Sequence, residues 1–458
     1  MLLELIRKEI TVNVLSLRFI VTFVLLFGLI LISTFVLTSD YKVRLQAYET
    51  SRSAHRDALS KIKAIKDKNQ QVDELISNQG VYADLKPQLL AIFVRGLEGN
   101  LPTQVHTARS ASRKIDEDFY HNPFFALFST PDYGYIVNIV VSLLALLFVF
   151  DAICGEKERG TLKVMLSNAV PRDLIILSKW IGGYLCLVVP FLVALLAGIA
   201  YIQLSGAVSL DAQAIERLIW LIGVSLLYIS LFFTIGLFIS TLTHRAATAL
   251  IVSLFVWICA ILVVPNLAPV IGRLVAPVPT LQKINAEKEA VDQETFLRMQ
   301  RVSRTMLGYG KKAEQLREKI EQEGRDRKDK LYHFYEEELK TQISISQTLS
   351  RISPSASFRY ATTELAGTGS GLFLHFKQAY KRFERNFDDY ADEIDDRRDD
   401  DQLNDNWLQV DEIPRLKAYA ARLDDTLAAI AVDLLLMGIY NVVFFMAAYA
   451  LFLRYDVT

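Results

Sequence analysis

The chain has 458 residues, 50 Lys+Arg against 51 Asp+Glu, a formal net charge of −1, 52% hydrophobic residues and 22% charged ones. There is no basic excess to support nucleic-acid binding. Ordinary charge content beside so high an apolar share excludes a simple soluble protein unless the two are segregated along the chain. They are segregated: residues 38–133 and 273–425 together hold 249 residues and carry 39 of the 50 basic and 41 of the 51 acidic side chains.

Residues 2–16 place Leu3, Ile6 and Ile10 on one side, with Leu17 following, and Glu4, Arg7 and Lys8 elsewhere. This is the pattern of a short amphipathic helix lying in a membrane interface, with a plain extension of the first span as the alternative. The apolar run 19–37 is longer than a usual signal-peptide core, and no small-x-small cleavage site follows it, so it reads as an uncleaved span. About 20 apolar residues cross a ~30 Å hydrocarbon core at ~1.5 Å per residue. Further runs at 134–150, 180–204, 218–243, 246–272 and 426–453 meet or approach that length. The expected fold is an all-α membrane protein: six transmembrane helices, an N-terminal amphipathic helix and two α-rich extracytoplasmic inserts. Its segments are 1–37 (interfacial helix and first span), 38–133 (first insert), 134–272 (four spans with a cytoplasmic loop 151–179), 273–425 (second insert) and 426–458 (last span and short tail).

Short-loop basic residues set the orientation. Arg7, Lys8, Arg18, Lys157, Arg159, Lys163, Arg172, Lys179, Arg245 and Arg454 fall on one side, and the opposite short loop 205–217 has only Arg217. Both termini and the 151–179 loop are therefore expected in the cytoplasm, with the inserts outside a bacterial inner membrane. The inserts contain no cysteine, since Cys154, Cys186 and Cys259 all lie elsewhere. Helix packing rather than disulfides must hold them.

In the first insert a helix is expected over about 41–78, interrupted further on by Gly96, Gly99 and Pro102. The second insert opens with Pro277 and Pro279 and continues as helix from about 281 to 350, with Gly308, Gly310 and Gly324 as candidate breaks. Phe373, Phe376, Tyr380, Phe383, Phe387, Tyr390 and Ile394 step by alternating threes and fours. That spacing is one apolar stripe on a helix, packed against a neighbour; a ligand groove is the alternative. The opposite face and the following residues are acidic, from Asp388 to Asp401. They lack the spacing and glycine of a calcium loop and read as a solvated face, with cation binding as the alternative.

No HExxH or CxxC occurs, and the six histidines are scattered, so no catalytic or metal site is expected. Gly155 to Thr161 has the glycine spacing of a phosphate loop, and Gly367, Gly369 and Gly371 form a second glycine-rich run. Both lack the lysine that reaches the phosphates. No cofactor is therefore expected in this chain.

The informative segment is 150–172. Gly160 breaks a helix, Thr161 is placed to N-cap a short second one, and Leu162, Met165 and Leu166 share its face before Asn168 to Pro171 ends it. An exposed apolar face between charged flanks suits a cytoplasmic partner; a helix lying on lipid is the alternative. This segment resembles the signature of ABC-2 type transporter permeases in Glu156, Glu158, Gly160, Thr161, Leu162, Leu166, Pro171, Arg172 and Lys179. The six spans and the amphipathic N-terminal helix look like the same family. Ser353-Pro354-Ser355 and Glu364 to Gly369 are similar to an outer domain of one branch of it.

The resemblance implies a non-catalytic permease that works as a homodimer or beside a related permease. It also implies a separate ATPase subunit carrying ATP and Mg²⁺. Glu156, Glu158 and Arg159 are expected to make charged contacts with that ATPase, and Leu162, Met165 and Leu166 to fill an apolar groove on it. Within the spans, Asp433 and Asn441 are candidates for a substrate pathway, because an intramembrane carboxylate should face protein or water. Pro190 permits a kink. Two functions from different classes follow: an ATP-driven exporter, or a membrane scaffold that transmits motion to extracytoplasmic protein partners without moving a substrate. A ligand sensor is disfavoured, since no cytoplasmic signalling domain is recognised.

Overall fold

The computed structural model describes residues 1–109, 131–167, 171–206, 210–305, 311–399, 407–409, 412–417 and 422–454. The N-terminal helix α1 (Leu2–Val14) is separate from the first span. The chain turns at Leu15, and Ser16 caps the next helix by accepting from Phe19 N at 3.3 Å. That helix, α2 (Leu17–Lys63), has 47 residues, about 70 Å at 1.5 Å each, more than twice a bilayer core. No Gly or Pro occurs between Gly28 and Ala64 to stop it, so the span runs on as a polar stalk. The helix expected at 41–78 begins as its continuation. A short α3 (Lys68–Val72) follows, capped by Asp67, then a π-helical turn, Asp73–Gln79. Gly80, at φ +64°, redirects the chain where a side chain would collide with Thr107 O. Strand β1 (Val81–Asp84) pairs antiparallel with β2 (Gln104–Thr107), Val81 opposite Thr107. Four-residue strands carry too little alternation for the sequence to have revealed them.

The second span begins at Tyr133, where Asp132 accepts from Tyr135 N at 2.7 Å and Arg95 N at 2.9 Å; burial raises the Asp132 carboxyl pKa. A π-helical stretch, Ile136–Val141, leads into α4 (Ser142–Val149). Two short helices, α5 (Cys154–Arg159) and α6 (Thr161–Ser167), precede the third span α7 (Arg172–Leu204). The fourth span is α8 (Ala212–Leu242), and the fifth, Ala246–Val275, consists of α9 (Ala246–Ile258), a π-helical turn and α10 (Val264–Val275). Helix α8 is the most enclosed span. Glycines allow the close approaches: a Cβ on Gly183 would meet Phe233, and one on Gly236 would meet Val149.

The chain divides into two units, Met1–Trp257 with Ser357–Thr458, and Ile258–Ala356. The second unit is α10 with a long antiparallel pair, α11 (Leu281–Thr305) and α12 (Lys311–Ser350). Arg327 bonds Glu294 at 2.8 Å and Lys328 bonds Asp292 at 2.6 Å across the pair. Gly324 is not a break. It lies inside α12, where a Cβ would collide with Thr295. Gly308 and Gly310 lie outside the described residues.

In the first unit, α13 (Pro354–Leu365) leads to α14 (Ser370–Asp399), and α15 (Leu423–Leu453) is the sixth span. The stripe residues Tyr380, Phe383, Phe387, Tyr390 and Ile394 are buried against Ile62, Val72, Leu75, Ile76, Val81 and Val105, with Trp407 and Leu408. The later part of the second insert therefore shares one core with the first, and residues 258–356 form the other unit. Trp407 Nε1 donates to Gln71 Oε1 at 2.8 Å within the shared core. The Phe373 side chain lies outside the described residues. On the acidic face Asp392 and Asp395 pair with Arg109, and Arg398 with Asp73. Among the described residues no three His, Cys, Asp or Glu are arranged to hold a metal; Asp400 and Asp401 lie outside them.

Candidate coupling loop between the second and third spans

After Phe150 the chain leaves the bundle and is fastened at once. Asp151 pairs with Arg18 at 2.9 Å, and the Arg18 guanidinium stands 5.1 Å from the centre of the Phe150 ring. Ser240, near the end of α8, accepts from Ile153 N at 3.0 Å and Cys154 N at 3.1 Å. It satisfies two amides that a helix start leaves without partners. Lys157 donates to Thr241 O and, at 3.2 Å, to Thr243 O, carbonyls at the end of the same helix. Glu158 accepts from Ala246 N at 2.9 Å, at the first turn of α9.

The central contact is ionic. Lys179, whose side chain is 4% exposed, lies 2.7 Å from Glu156 Oε1 and 3.2 Å from Glu9 Oε1. One ammonium thus ties α5 to α7 and to the N-terminal helix α1. Gly182, one turn along α7, has no room for a Cβ against Glu9, and Cys186 Sγ donates to Ile10 O at 3.9 Å.

Gly160 adopts φ +73°, the left-handed conformation that ends a helix and favours glycine. It lets α6 start immediately with a change of direction. Thr161 does not cap α6 as expected. It is the first residue of that helix, and its hydroxyl donates back to Glu156 O at 3.4 Å. Leu162 is fully buried within the chain, whereas Val164 is 64% exposed. The expected exposed apolar face is therefore rotated: Thr161, Lys163 and Val164 point outward, Met165 is half-buried, and the Leu166 side chain lies outside the described residues. An amphipathic helix with few residues fits two facings, and packing selected the one that hides Leu162. Glu156 and Glu158 are engaged inside the chain, and Arg159 donates to Gly155 O at 3.0 Å. Pro171 precedes α7, and Arg172 donates to Leu453 O at the end of α15, at 2.8 Å.

Asp433 is 1% exposed and faces protein, as the cost of an intramembrane carboxylate requires. Asn441 lies between spans. Its amide donates to Ser230 Oγ, and its carbonyl accepts from Thr234 Oγ1 at 3.0 Å. Trp180 Nε1 of α7 donates to the same Thr234 hydroxyl at 2.9 Å.

Sequence reasoning missed Glu9 and Ser240. A signal existed for the first, because the small pair Gly182-Gly183 inside a span marks a close helix contact. For Ser240 a polar residue near the end of a span was the sole hint.

Among the described residues six helices are long and apolar enough to cross a membrane, the architecture of a multi-pass membrane protein. Residues 3–457 match the family model described as ABC-2 family transporter protein, and the chain belongs to that family. Over 88 residues it is 33% identical to the probable ABC transporter permease protein NosY of Stutzerimonas stutzeri. That match covers 19% of this chain and 30% of the relative. Membership of a permease family implies a non-catalytic membrane subunit.

Proposed function

We propose that this chain is the permease of an ATP-driven exporter and that helices α5 and α6 receive a separate ATPase subunit. ATP and Mg²⁺ belong to that subunit. Two permeases, identical or related, form the membrane part in a bacterial inner membrane. The termini and the coupling helices are cytoplasmic, and the inserts lie outside. The observation that carries this reading is the way α5 is bound at once to α1, α7, α8 and the start of α9. A push on the exposed side of α6 reaches four membrane elements through hydrogen bonds and ions rather than through a flexible linker. Spans with two discrete packings convert such a push into alternating access.

Val164→Asp places a charge on the outward side of α6. It is expected to abolish co-purification with the ATPase and transport-coupled ATP hydrolysis, with the melting temperature nearly unchanged. Leu162→Asp is expected instead to lower the melting temperature, because it buries a charge. Undiminished ATPase capture by the folded Val164→Asp protein would sink the assignment.

A second reading, in which the spans transmit motion to outer partners and nothing crosses, draws on the enclosure of Asp433 and the bridging position of Asn441. Thiol labelling distinguishes the two, in an Asp433→Cys protein whose three native cysteines are replaced. Reaction with a membrane-impermeant maleimide during ATP turnover supports export, and protection throughout supports transmission.

A further inference from the structure

The glycine-rich run after Glu364 and the short-loop residue Arg217 are features that coupling does not explain, and they meet. At the end of α8 opposite the coupling loop, three segments enclose a half-open cleft of about 190 Å³. Its walls are Gln88 to Leu90 of the first insert, Asp211 to Arg217 at the start of α8, and Glu364 to Leu372 between α13 and α14.

The cleft is held in shape by its own bonds. Asp211 Oδ1 accepts from Ala214 N at 2.8 Å, and Arg217 donates to Leu365 O at 3.1 Å. Glu364 Oε1 accepts from Ser370 Oγ at 2.9 Å and Gly371 N at 3.0 Å. Gly369 and Gly371 leave no room for a Cβ beside that carboxylate, so the run wraps a glutamate instead of a phosphate. The following contact fixes the loop to the first insert: Leu97 N donates to Thr368 O at 2.7 Å, and Thr368 Oγ1 donates to Val94 O at 2.9 Å.

One guanidinium and two carboxylates therefore share a small space with two amides, Gln88 and Gln213, and with Leu89, Leu90 and Leu372. Pockets for drug-sized ligands measure roughly 300–1,000 Å³; this smaller cleft suits a headgroup. The charges fit a group carrying both signs better than a plain anion, because two carboxylates repel one. Trp220 lies seven residues after Gln213 and so on the same helical face. It is 41% exposed, as an interfacial tryptophan beside lipid would be.

We propose that this cleft binds the headgroup of an amine-bearing zwitterionic phospholipid. Its phosphate faces Arg217, its ammonium faces Asp211 and Glu364, and its chains run past Trp220. The ammonium must carry N–H donors to satisfy carboxylates, which selects phosphatidylethanolamine over phosphatidylcholine.

Native mass spectrometry of the full chain, delipidated and then offered single lipids, tests this. Phosphatidylethanolamine is expected to be retained at one per chain, ahead of phosphatidylglycerol and phosphatidylcholine. Gln213→Trp, which fills the cleft from an exposed position, and Arg217→Gln are each expected to lower retention about tenfold, the loss of ~1.4 kcal/mol of binding. Arg217→Lys should recover part of it. Glu364→Gln keeps an acceptor for Ser370 and Gly371, and should erase the preference for the ethanolamine lipid over phosphatidylglycerol. Equal retention of the two lipids by the unaltered chain, or retention indifferent to Gln213→Trp, would overturn the proposal. Displacement of the lipid by equimolar free phosphoethanolamine would overturn the lipid assignment in favour of a soluble ligand.

Discussion

Lys179 lies where the N-terminal helix, α5 and the third span meet, its side chain nearly buried between two carboxylates. Removing one member of a buried ion cluster leaves uncompensated charge and typically costs about 3–5 kcal/mol. Lys179→Met leaves Glu9 and Glu156 facing each other without a cation. It is expected to lower the melting temperature and to release α5, read as faster proteolysis of the 151–167 segment. Unchanged protection of that segment would refute the structural role given to the ammonium. Sequence placed Lys179 in the loop signature but not beside its partner Glu9, because the two are joined through a helix contact between residues far apart in the chain.

At the scale of elements, the joint between α5 and α6 depends on one backbone conformation. Gly160 has φ +73° and open space where a Cβ would stand, so the penalty for a substitution is conformational. It amounts to about 1–2 kcal/mol for an L residue held left-handed. Gly160→Ala is expected to raise the proteolytic rate at the joint, with a smaller loss of melting temperature than Lys179→Met, and, under the proposed function, to slow ATP-coupled transport. The glycine itself was legible as a helix end, whereas the facing of α6 was not. Leu162, Met165 and Val164 give a short helix two plausible apolar sides, and the bundle chose between them. The same distinction applies to Gly324, whose residue type suggests a break while its surroundings make it a close contact with Thr295.

Over the whole molecule, the stripe from Phe376 to Ile394 joins segments separated by some three hundred positions in the chain. Phe387 is fully buried in that core, and truncating such a side chain costs about 3–5 kcal/mol. Phe387→Ala should therefore loosen both inserts together. Hydrogen exchange is expected to rise over 72–107 as well as over 376–394, and a rise confined to the second segment would contradict a shared core. The spans, the amphipathic start and the stripe were legible in the sequence, because each is a periodic pattern within one segment, and the bilayer and the helix repeat read such patterns locally. The short strands, the division of the second insert, the ion cluster at Lys179 and the cleft at Arg217 were decided by tertiary structure. Each depends on which distant segment arrives beside it, and neither hydropathy nor periodicity carries that information.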